Sequence, residues 1–167
     1  LIDAITAGIN EEKDRKARAA LLLQRAVAYS EAQNYSDAIS DLDDYLSVDT
    51  ASAMGHWERA VCQQLLNSYE ASKGTKTAMK LSQVEGDFAV AIQLQPKNAY
   101  TYYNRGNLFA AEKNYTRAIA DYTHAISLDP NMAQAYYNRA VSHFYSGDIK
   151  SAQSDLSHAG ELGLYNA

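Results

Sequence analysis

The stretch Ala99 to Met132, AYTYYNRGNLFAAEKNYTRAIADYTHAISLDPNM, decides how the rest of the chain is read. Tyr102, Gly106 and Phe109 recur at the alternating spacing of four and three that places side chains on one face of a helix. Ala118, Tyr122 and Ala125 form a second such stripe, and Asp129-Pro130 ends it, because proline cannot continue a helix. The stretch is therefore expected to be two helices packed face to face. Gly106 stands where the two backbones must approach closely.

The same pattern recurs along the chain. Arg25, Arg59, Arg105 and Arg139 each precede a small residue, and Arg25 lies as far from Arg59 as Arg105 does from Arg139. Asp41, Asp87, Asp121 and Asp155 form a matching column on the second helices, followed by Leu42, Phe88, Tyr122 and Leu156. The interval from Arg to Asp is the same in the first, third and fourth units. It is longer between Arg59 and Asp87, which places an insertion between the two helices of the second unit. Self-similarity at a period of about 34 residues is the signature of stacked helix-turn-helix repeats.

In the residues just quoted the chain resembles the tetratricopeptide repeat family, with Arg105 where the family most often has leucine. That resemblance implies an all-α fold, a right-handed superhelical α-solenoid of helix-turn-helix repeats, whose usual work is holding peptides or partner proteins. The units are read as repeat 1 at 19–52, repeat 2 at 53–98 with the insertion near 67–79, repeat 3 at 99–132 and repeat 4 at 133–167 together with a truncated C-terminal cap. All belong to one domain. Residues 1–18 fit the repeat poorly and are assigned to an N-terminal capping segment. Asn10 followed by Glu11 and Glu12 predicts a long helix from about Glu11 to Ala32, since a side-chain acceptor followed by acids suits a helix start. The polar insertion is either a surface loop or an extension of its two flanking helices.

With 47% apolar residues and a net charge of −5 the composition suits a soluble globular protein. The sequence pI near 5.3 and the lack of a Lys/Arg cluster exclude the electrostatic footprint of nucleic-acid binding. No apolar run approaches the roughly 20 residues that span a bilayer, so no membrane insertion is expected. Cys62 is the single cysteine and cannot form an internal disulfide. The chain opens with Leu1 rather than Met, which reads as an excised piece and leaves the compartment open. Repeat arrays end in a helix with a polar outer face, and the fourth unit stops short of one. Its apolar surface near Leu156 and Leu162 is expected to self-associate into a homo-oligomer.

No catalytic residues, metal ligands or cofactor motif stand out. Asp41, Asp43 and Asp44 lack the glycine and terminal glutamate of a calcium loop; of His56, His124, His143 and His158 only His124 and His158 share a repeat column, and two imidazoles without a cysteine or carboxylate at ligand spacing make no metal site. The Arg and Asp columns are expected to pair with each other, either between the two helices of a unit or across to its neighbour. What remains is a binding surface. In the family the first helices line the concave side, and by helical phase Trp57, Glu58, Tyr100, Tyr103, Asn104, Asn107, Gln134, Tyr137 and Asn138 are the candidate peptide- or partner-binding residues. Asn107 and Asn138 match the amide places of the family's carboxylate clamp. Its lysine places hold Tyr103 and Trp57, so the cationic part is missing. Asn104 and Asn138 match the asparagine ladder with which other members hold a peptide backbone, and Gln24 and Glu58 depart from it. The expected function is a non-catalytic protein-interaction module. Its alternative is an assembly or regulatory segment whose groove is filled by its own chain or by a second copy.

Overall fold

The computed structural model describes residues 1–75 and 81–164. Among the described residues it consists of nine helices: α1 Ile2–Glu11, α2 Arg15–Glu31, α3 Tyr35–Leu46, α4 Ala53–Ser72, α5 Leu81–Leu94, α6 Ala99–Ala111, α7 Tyr115–Leu128, α8 Ala133–Tyr145 and α9 Ile149–Glu161. They fall into two compact units, Leu1–Gln95 with α1 to α5 and Pro96–Ala167 with α6 to α9. The all-α helix-hairpin fold expected from the periodicity is the fold observed.

Helix ends follow local chemistry. Asp14, Ser52, Asn98, Asn114 and Asp148 each accept a hydrogen bond from a backbone N–H of the first turn that follows them. The turns inside the hairpins are equally regular. Gln33, Lys113 and Gly147 adopt left-handed backbone with φ of 60°, 58° and 90°. The next N–H reaches back into the last turn of the helix, from Asn34 to Tyr29 O, Asn114 to Phe109 O and Asp148 to His143 O. This arrangement satisfies carbonyls that the helix end leaves without partners.

One segment differs from the sequence reading. The helix expected to start near Glu11 is broken: α1 ends there and α2 begins at Arg15. Asp14 accepts from Ala17 N at 2.8 Å, and Glu12 Oε1 accepts from Asp14 N at 2.8 Å, so two acidic side chains bond local amides and stop one helix before starting the next. Of the insertion, Asn67 to Ser72 continues α4 as helix, with Gly74 in left-handed backbone after it. Residues 76–79 of the insertion, and Tyr165 in the C-terminal cap, lie outside the described residues.

In the first unit, Ile9, Ala19, Leu22, Tyr45 and Leu46 are buried together, with Ile5 of α1 packed against them. A second cluster joins Ala26, Ala38, Leu42 and Cys62. In the second unit, Phe109, Ala118 and Tyr122 pack together, with Tyr103 alongside. The helices approach so closely at Gly106 that an added Cβ would lie 2.7 Å from Tyr122 Cε1. Gly55 stands equally close to Tyr45.

The Arg and Asp columns meet in all four repeats. Arg25 to Asp41, Arg59 to Asp87, Arg105 to Asp121 and Arg139 to Asp155 are each joined by Nε and Nη2 donating to the two carboxylate oxygens at 2.7–2.8 Å. Two parallel bonds between planar groups fix the angle as well as the distance, so each pair aligns the two helices of its hairpin. Nη1 then reaches the preceding helix, to Thr6 from Arg25, to Asp43 from Arg59 and to Thr123 from Arg139. His56, to which the sequence assigns no partner, joins the second pair with Nδ1 2.8 Å from Asp87 Oδ1.

Candidate functional site

The candidate residues divide between the two units. Trp57 and Glu58 lie on α4 in the first. Tyr100, Tyr103, Asn104 and Asn107 lie on α6, and Gln134, Tyr137 and Asn138 on α8, in the second.

On α4, Trp57 is half-buried, and its Nε1 is enclosed without a hydrogen-bond partner. Glu58 is 7% exposed, and burial pushes its carboxyl above the usual carboxylate range, countered in part by Ser30 and Cys62. Such a side chain belongs to the packing more than to a solvent-facing surface. Cys62 beside it is fully buried, and its thiol is pushed up to about 11 by that burial, which rules out a thiolate nucleophile at neutral pH.

The second unit brings three of the candidates together. Asn138 Nδ2 donates to Asn107 Oδ1 at 2.8 Å and to the Tyr103 hydroxyl at 3.2 Å. Asn107 Oδ1 also accepts from the Tyr122 hydroxyl at 2.8 Å. The cluster ties α6, α7 and α8 together through neutral groups only. Burial pushes the Tyr122 hydroxyl well above the ordinary tyrosine range, so it stays protonated and keeps donating. Beside the cluster, Tyr100 and Tyr137 are 60% and 39% exposed, with Gln134 also exposed. Asn104 is half-buried outside this cluster of bonds.

The partners of these amides include a residue that periodicity assigns to the core. Tyr122 reads as a packing aromatic in its helical stripe, yet its hydroxyl crosses from α7 to orient Asn107 on α6. A cavity of about 230 Å³ opens against the cluster, lined by Asn107, Tyr115, Tyr122, Asn138, Ser142 and Tyr145 among others. Tyr115 and Tyr145 stack at its edge, with ring centroids 5.3 Å apart and planes 14° from parallel. No sequence spacing links these two rings; the fold alone brings them together.

Among the described residues no cluster of three or more His, Cys, Asp or Glu side chains could hold a metal ion. His124 and His158 pack on Tyr102 and Tyr136, with ring centroids 4.1 and 4.7 Å apart. No helix among the described residues is long and apolar enough to cross a membrane.

Comparison with known proteins agrees with this architecture. Residues 99–132 match the family model of the tetratricopeptide repeat. Among solved structures, a crystal structure of MamA superposes with a TM-score of 0.82 at 20% identity, covering 96% of this chain and 85% of that one. Pseudomonas aeruginosa PilF gives 0.71 at 18% identity, covering 89% and 63%. The tetratricopeptide domain of Arabidopsis OM64 gives 0.68 at 19% identity, covering 78% and 98%. Residues 99–132 are thus a tetratricopeptide repeat, and the helix-hairpin fold of the chain is that of the tetratricopeptide-repeat proteins.

Proposed function

We propose that the chain is a non-catalytic protein-interaction module whose second unit takes a peptide segment of a partner across α6 and α8. The observation that carries this reading is the Tyr103–Asn107–Asn138–Tyr122 cluster. It holds two amides in fixed orientation beside the exposed rings of Tyr100 and Tyr137. Oriented amides supply both a donor and an acceptor to a peptide backbone, and aromatic rings supply broad contact at low entropic cost. Asn104 and Gln134 extend the polar edge of the same surface. Trp57 and Glu58 are the corresponding candidates of the first unit, with Trp57 the stronger because Glu58 is buried.

The test is selection of a random peptide library on the full chain, followed by titration of the winners against Tyr137→Ala and Asn138→Ala. Retained affinity in both variants would contradict the reading. Loss of about 1–3 kcal/mol on truncating the tyrosine is expected.

A second reading has its own observation. Tyr137, Phe144, Tyr145, Ile149 and Leu156 line an apolar depression of about 460 Å³ between α8 and α9, and Phe144 and Tyr145 are mostly exposed. In this reading a second copy of the chain covers that face, as apolar patches of this kind favour. Sedimentation over a concentration series distinguishes the two, because a strict monomer that still captures peptide leaves only the first.

A further inference from the structure

The cavity against the amide cluster is more selective than a surface for a peptide backbone needs to be. We infer that it is a binding site for the primary carboxamide of an asparagine or glutamine side chain, carried by the segment that lies across α6 and α8. This inference rests on the reading proposed above and names the side chain that reading leaves open.

The hydrogen-bond accounting points there. A neutral asparagine has two N–H donors and one carbonyl oxygen with two lone pairs. Asn138 commits both donors, to Asn107 Oδ1 and to the Tyr103 hydroxyl, which leaves its Oδ1 as an acceptor for a ligand. Asn107 Oδ1 accepts twice, from Asn138 and from the Tyr122 hydroxyl, which leaves its Nδ2 as a donor. Two neighbouring amides in the cavity wall therefore offer one acceptor and one pair of donors. The remaining walls are the Tyr115, Tyr122 and Tyr145 rings, with Ala110, Val141 and Ser142, and no charged side chain is among them. The Ser142 hydroxyl is already committed to Asn138 O at 2.9 Å.

A ligand that satisfies this wall must be uncharged and small, and must carry an N–H donor and a carbonyl acceptor on one centre. A primary carboxamide does so with the same atoms as the wall itself. A carboxylate brings acceptors only, sets its charge beside Asn138 Oδ1 and finds no cation. An ammonium or guanidinium brings donors only. An alkyl side chain leaves both amides without partners, and a polar group buried in that way is costly. The flat carboxamide also suits a slot edged by stacked rings.

The experiment uses the intact chain, isotopically labelled, with three small probes of similar size: propionamide, propionate and butanone. Side-chain NH₂ resonances of Asn107 and Asn138 are followed by NMR during each titration. Propionamide is expected to shift both, with butanone and propionate binding about tenfold more weakly, since each leaves at least one wall group unpaired. Asn107→Asp, which keeps the shape but removes the free donors, is expected to erase the preference for propionamide. Equal binding of the three probes, or no response of the two amides to propionamide, overturns the site. Peptides selected on the chain that bind across α6 and α8 without a fixed Asn or Gln would also overturn it while leaving the proposed function standing. Propionamide binding with no peptide ever captured would count against the proposed function, and with it against the claim that a peptide side chain is the occupant.

Discussion

Removing one partner of a buried ion pair should expose how much the Arg–Asp columns contribute to this fold, and Arg139–Asp155 offers the clearest test. The side chains of Arg139 and Asp155 are 17% and 9% exposed and are joined by two bonds of 2.7 Å. Arg139 also donates to Thr123 at 3.0 Å and lies over the Tyr136 ring. In Asp155→Ala the guanidinium keeps those two contacts but loses its counter-charge in a partly dry setting. Breaking such a pair costs about 3–5 kcal/mol when both groups are fully buried. The residual exposure of Arg139 lets water compensate in part, so about 3 kcal/mol is expected, near the lower end of that range. For a chain of this length that corresponds to a fall in melting temperature of about 6–12 °C. Thermal and urea unfolding should agree on the loss. The double variant Arg139→Met with Asp155→Leu should recover most of it, because replacing a buried pair with apolar groups is often close to neutral. A loss below about 1 kcal/mol, the range of exposed pairs, would refute the claim that these pairs hold the hairpins together.

Three further outcomes follow from particular residues. Burial raises the pKa of Glu58 in the folded chain above its ordinary value of 4.5, so the folded form binds more protons than the unfolded one just above that pH. The contribution of this group to stability is therefore lost as pH rises through the folded pKa. Glu58→Gln should melt higher than the wild type at pH 7 and show no such advantage near pH 4, and a pH-independent difference would contradict the assignment. Gly106→Ala and Gly86→Ala should move stability in opposite directions by urea unfolding. At Gly106 the new methyl meets the Tyr122 ring, an overpacking that costs about 1–3 kcal/mol, whereas Gly86 has open space around it and should gain about 0.5–1 kcal/mol from helix propensity. Lys113→Gly should stabilise the chain by up to about 1 kcal/mol by relieving its left-handed backbone, and a loss on equilibrium unfolding would argue against that strain.

The fold was legible because its information is local and repeated. The stripes Tyr102-Gly106-Phe109 and Ala118-Tyr122-Ala125 set the two helix faces, and the matching Arg and Asp columns, equally spaced in the first, third and fourth units, pointed to the pairing that the structure displays. The break at residues 12–14 was not legible, since Glu12 and Asp14 stop the helix by bonding nearby amides, and their composition is equally suited to an acidic first turn. Asn67 to Ser72 is helical although polar, because α4 continues without needing an apolar stripe over its last turns. The candidate site was legible by column: Tyr103, Asn107 and Asn138 stand out on the first helices. Their bonding was not, because it depends on Tyr122 reaching across from α7 and on which amide atoms are already committed. Glu58 shows the opposite case, a residue in the candidate column whose side chain is buried.

The surface that α6 and α8 are proposed to present to a peptide is neutral, built of amides and aromatic rings. The most direct measurement is titration of a library-selected peptide into wild type and Asn138→Ala at low and at high salt. Contacts made by neutral amides and tyrosines should be nearly insensitive to ionic strength, and loss of Asn138 should weaken binding by about 1–3 kcal/mol at both salt concentrations. Binding that weakens steeply with salt and ignores the loss of Asn138 would contradict the account.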